Sequence, residues 1–89
     1  MSLSDVIIEI KKIIGKEQML SIEIFSGGEI AINIYEKPIS ISITKDKNEC
    51  FIETEIMSMD FLTYQYMKEI TDILKLINDN IIIFKRLWG

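Results

Sequence analysis

The sequence predicts an α+β fold, a two-layer sandwich in which a four-stranded antiparallel meander carries two helices on one face. Three observations predict it. Apolar residues recur with a helical period over 3–14 and again over 59–78, they alternate in twos between 20 and 56, and turn residues interrupt that alternation three times. The expected order is α-β-β-β-β-α with a fifth strand at the C-terminus, in one domain spanning 1–89.

The first helix is read over 3–14. Leu3, Val6, Ile7, Ile10, Ile13 and Ile14 share a face, Ser2 or Ser4 can cap the start, and Gly15 follows where a helix-ending glycine belongs. Ile8 points away from that face.

From Leu20 the period becomes two. Leu20, Ile22 and Ile24 form one side of a first strand; Ile30, Ile32 and Ile34 of a second; Ile39, Ile41 and Ile43 of a third; Cys50, Ile52, Thr54 and Ile56 of a fourth. One-sided alternation belongs to an antiparallel sheet with one face buried and the other wet.

Parity then fixes the loops, because opposed residues of an antiparallel pair point to the same face. Ile24 and Ile30 share a face only across an odd loop, and "SGG" at 26–28 supplies three residues. Gly28 is expected at positive φ, as three-residue hairpins often require. Ile34 and Ile39 need an even loop, read as Tyr35–Pro38. The third hairpin is read around "KDKN" at 45–48, with Ile43 near Cys50 and Ile41 near Ile52.

The second helix is read over 59–78, capped by Ser58 and stopped by "NDN" at 78–80. Met59, Leu62, Tyr66, Ile70, Ile73 and Ile77 form its main stripe, flanked by Met67 and Leu74. The segment "IIIFKRLWG" is short, β-branched and apolar, so it reads as the fifth strand.

Composition excludes several functions. The chain has no histidine, one cysteine and a net charge of −4. Histidine-based catalysis is impossible, an internal disulfide has no second thiol, and a structural zinc lacks its usual ligands. The acidic balance argues against a nucleic-acid partner, whose footprint is a basic patch. The longest apolar run, Ile81–Phe84, falls far short of the roughly 20 residues that span a bilayer. No signal peptide is read at the N-terminus, and the expected location is the cytoplasm.

Few residues are left to carry chemistry. "SGGE" lacks the spacing of a phosphate loop and joins two strands. Cys50 has no base beside it and falls on the apolar side, where a thiol is an ordinary small hydrophobe. The polar side of the sheet offers Glu23, Asn33, Glu53 and Glu55, which could serve as paired acid and base or hold a hard cation. A solvated strand face has the same composition.

Ile8, Phe61, Tyr64 and Trp88 are apolar residues with no assigned place in the core, and exposed aromatics anchor partners. No cofactor is expected. The reading is therefore a small non-catalytic interaction or accessory module, acting as a homodimer or bound to another protein. The alternative is a small enzyme or cation-binding domain that uses the carboxylates of the sheet.

Overall fold

A computed structural model describes residues 1–15, 19–34, 39–47, 49–56 and 64–88, with Asp46 and Ile56 described by their backbone alone. The class is α+β. The elements run α1 (Leu3–Ile14), β1 (Leu20–Phe25), β2 (Glu29–Ile34), β3 (Ile39–Asp46), β4 (Glu49–Ile56), α2 (Tyr64–Asp79) and α3 (Ile81–Arg86). They group into two compact units, one of residues 1–18 with 61–89 and one of residues 19–60.

In the sheet unit the strands lie in the order β1-β2-β3-β4, all antiparallel. The first two pairings follow parity as expected: Ile22 faces Ile32, and Ile32 faces Ile41. Gly28 closes the first hairpin at φ 85°, its N–H donating to the Phe25 carbonyl at 3.1 Å. The Gly28 carbonyl in turn accepts from the Lys45 N–H at 2.9 Å, which ties the turn to β3. Tyr35–Pro38 lies outside the described residues, though Ile34 does pair with Ile39 across it.

The third pairing departs from expectation by two residues. Ile43 faces Ile52, Ile41 faces Thr54 and Ile39 faces Ile56, while Cys50 faces Lys45. The ladder continues to Asp46 opposite Glu49, two pairs beyond the expected "KDKN" loop. Those extra pairs satisfy backbone groups that a four-residue loop would leave to water. A shift of two preserves the face, so the isoleucines stay on one side. The strain goes into Lys47, which sits at φ 55° in the left-handed region.

Burial on the isoleucine side is concentrated in the two central strands. Ile30, Ile32, Ile34, Ile39, Ile41 and Ile43 are all buried. The edge strands are less protected: Ile22 and Ile52 are half-buried, and Ile24 is 54% exposed rather than fully in the core row.

In the helical unit, α1 begins with a capping box. Ser2 Oγ accepts from the Asp5 N–H, and an Asp5 carboxylate oxygen accepts from the Ser2 N–H at 2.9 Å. The Gly15 N–H closes the other end on the Lys11 carbonyl at 2.8 Å. Val6, Ile10 and Ile14 are its buried residues, and α1 packs against α2. In α2 the buried stripe is Tyr66, Ile70, Ile73 and Ile77. The expected Met59, Leu62 and Ser58 cap lie outside the described residues.

The C-terminal segment is a helix, not a fifth strand. α3 follows α2 after a break at Asn80, whose N–H donates to the Ile77 carbonyl at 3.1 Å and whose side chain donates to the Leu76 carbonyl at 2.9 Å. Ile83 then donates back to Asn80, and Leu87 to Phe84. A helix satisfies its backbone internally, whereas a strand needs a neighbouring edge. β-Propensity yields to burial here, since Phe84 is fully buried on the inner side of α3. Among the described residues, no helix is long and apolar enough to cross a membrane.

Candidate functional site

The side of the sheet opposite the isoleucines carries three cross-strand rows. Register gives them as Ser21–Asn33–Ser40–Glu55, Glu23–Ala31–Ser42–Glu53 and Phe25–Glu29–Thr44–Phe51. All four polar residues picked from the sequence, Glu23, Asn33, Glu53 and Glu55, therefore share this face. Glu23 and Glu53 occupy opposite edge strands of one row, three strand spacings or about 14 Å apart.

Small side chains line the middle of the face. The Ser40 hydroxyl donates to Asn33 Oδ1 at 2.9 Å, and the Ser42 hydroxyl to Glu29 Oε1 at 3.2 Å. Ala31 is buried between them, and the Ser21 hydroxyl is covered with no hydrogen-bond partner among the described residues. The centre is thus a hydrogen-bonded floor of small side chains, with Glu29 at the end of β2 and the other carboxylates on the edge strands.

The carboxylates do not converge. Glu23, Glu53 and Glu55 are exposed, and Glu49 joins them at the start of β4. Glu53 and Glu55 are neighbours on one strand, roughly 7 Å apart. Two unit charges at that separation in water repel by only about 0.6 kcal/mol before screening, so their placement side by side does not call for a bound cation. Among the described residues no group of three histidine, cysteine, aspartate or glutamate side chains is placed to hold a metal ion. Acid–base work needs a carboxylate held against a substrate, and this pair stands on an open edge strand.

Phe25 and Phe51 break the polar pattern of this face. They are 46% and 44% exposed and end the same row on opposite edge strands. Alternation alone places both on the polar side, so the signal was present in the sequence. Their common row was not, because the expected register of β4 would have set Phe51 opposite Ser42 instead of Thr44.

The apolar residues expected to meet a partner lie in the helical unit. Ile8 is 52% exposed on α1, and Tyr64 is 88% exposed at the start of α2. Met67 and Ile82 are also exposed. Tyr64, Met67, Lys68 and Thr71 line an open depression along one side of α2. Trp88 is half-buried, and its indole N–H is covered without an acceptor among the described residues. Phe61 lies outside the described residues.

Among the described residues, two polar groups of this unit have shifted titration. Hydrogen bonds from the Ser2 backbone and side chain hold the Asp5 carboxyl below its ordinary value. Burial pushes the Tyr66 phenol up, and the Glu69 carboxylate adds to it. Both shifts follow from folding contacts. No protein-family model, curated protein or solved structure matches this chain.

Proposed function

We propose that this protein is a small non-catalytic interaction module, working as a homodimer or bound to a protein partner. The observation that carries the reading is the set of large apolar side chains left in water by the helical unit, Ile8, Tyr64, Met67 and Ile82. Scattered exposed apolar residues are ordinary on a protein surface. Here Tyr64 and Met67 line one depression together, and an aromatic with a methionine makes an adaptable contact surface. The spread of the sheet carboxylates also favours binding over a cation site or an acid–base pair.

The layered arrangement expected from the sequence belongs to the same proposal. The isoleucine face of the sheet and the stripe Tyr66–Ile70–Ile73–Ile77 are each apolar on one side. Joining them as two layers, with the helices on that face, withdraws both from water. A cytoplasmic setting is also part of it, and a single cysteine with no pairing thiol suits reducing surroundings.

Light scattering on the purified chain at micromolar concentration tests the homodimer. The expected mass is near twice 10.4 kDa. Tyr64→Ser with Met67→Ser should return it towards one copy without lowering helix content. A monomer in which these substitutions also leave every co-purifying protein in place overturns the reading.

A further inference from the structure

We propose that the open face of the sheet docks an extended, lysine- and arginine-rich segment of another protein. The proposal deepens the interaction reading and rests on it.

Charge is the first argument. Glu23, Glu29, Glu49, Glu53 and Glu55 all occupy register positions on this face, and among the described residues no lysine or arginine does. The nearest basic side of the ladder is the other one, where Lys45 stands opposite Cys50. Among the described residues no ion pair joins a lysine or arginine to these glutamates; the ion pair there is Lys12 with Glu9 in α1. A single-sign field raises the local concentration of oppositely charged groups and repels like ones. A second copy of this chain is the wrong occupant, since two such faces would set glutamate against glutamate.

The aromatic pair is the second argument, and it is independent of charge. Phe25 and Phe51, each nearly half in water, both lie on this face and in one row of it. They stand about 14 Å apart at the two ends of one row. Arginine and lysine bind the faces of aromatic rings as well as carboxylates. Between the two rings lie Glu29 and Thr44, and beside them the small residues Ala31, Ser40 and Ser42 let a backbone come close. A basic segment crossing the strands along this row would meet a ring at each end and a carboxylate between.

The test uses the full chain, labelled with nitrogen-15 and titrated with a short synthetic peptide of alternating arginine and serine. Amide shifts should concentrate on residues 21–33 and 40–55, and the matching glutamine–serine peptide should produce none. Phe25→Ser with Phe51→Ser leaves the net charge unchanged and should weaken binding roughly tenfold, as two cation–ring contacts are lost together. Glu53→Gln with Glu55→Gln should weaken it as well. Asp72→Asn with Asp79→Asn removes the same charge from exposed positions of α2 and should leave it within about twofold. Circular dichroism of each variant checks that it is folded, and the glutamate pair provides a reading if the phenylalanine pair is not. The proposal is overturned if the α2 pair weakens binding as much as the sheet pair, or if the phenylalanine pair changes nothing. It is equally overturned if the same amides shift on concentrating the chain without peptide, which would make a second copy the occupant. A dimeric mass alongside any of these results leaves the interaction reading standing and removes only the sheet face.

Discussion

Ile41→Ala and Ile24→Ala should differ about threefold in their cost to stability. Both residues belong to the isoleucine side of the sheet, and both substitutions delete the same three carbons. Ile41 is fully buried in a central strand, with Ile32 opposite on β2 and Thr54 opposite on β4. At about 0.8 kcal/mol per buried methylene, the lost transfer energy is roughly 2.4 kcal/mol. The cavity left in a sheet that relaxes only partly raises the cost to about 3–4 kcal/mol. Ile24 is 54% exposed on an edge strand, so about half of the transfer energy and little cavity remain, roughly 1 kcal/mol. An 89-residue chain has a total stability of about 4–13 kcal/mol, so the first change takes a large share of it. Urea titration followed by far-ultraviolet circular dichroism reads both, as a midpoint shift at constant slope. Equal costs at the two positions would refute the reasoning, because burial would then not be centred on β2 and β3.

Gly28→Val should destabilise by roughly 1–2 kcal/mol, because φ is 85° there and an L side chain resists that region. The added Cβ would meet Lys45 Cβ at an ordinary 3.6 Å, so the cost is backbone strain, and Gly27→Ser, which opens into free space, should cost less in the same titration. Equal losses would remove the odd-loop argument. Stability should also fall in alkali: the folded phenol of Tyr66 titrates above its usual value of 10.0, so its contribution is intact below pH 10 and is lost as pH rises through the folded value. Tyr66→Phe should shrink that decline in pH-dependent urea midpoints, and an unchanged alkaline slope would assign the loss to other groups.

The fold was legible wherever a pattern had a single period. α1 was read at its observed bounds, because Ser2 and Gly15 mark its ends chemically. The two-residue alternation gave four antiparallel strands in sequential order, and the parity of "SGG" gave the conformation of Gly28. The C-terminal segment was misread because three consecutive isoleucines hide any period. Ile81, Phe84 and Trp88 do recur at helical spacing, with Ile82, Lys85 and Arg86 exposed between them, but that stripe emerges only once the burial of Phe84 is known. Ile24 was misplaced for another reason: alternation tells which side a residue is on, not how far cover reaches towards an edge.

The candidate site was less legible than the fold, and the cause lies in the sheet's own geometry. A slip of two residues returns every side chain to the same face, so hydrophobic burial cannot oppose it. In either register two of the three β3 isoleucines meet apolar residues of β4 and the third meets Thr54, so the choice falls to the turn. That choice is silent for the core and decisive for the opposite side. It moves Phe51 from the serine row into the row of Phe25, and it sets Glu53, not Phe51, beside Ser42. Composition of a face is thus set by parity, while its arrangement is set by one hairpin. In this protein that hairpin places Lys47 at a positive φ, which a lysine adopts only at a cost. The extra ladder pairs offset that cost, and in doing so they place the two exposed aromatic rings at opposite ends of a single acidic row.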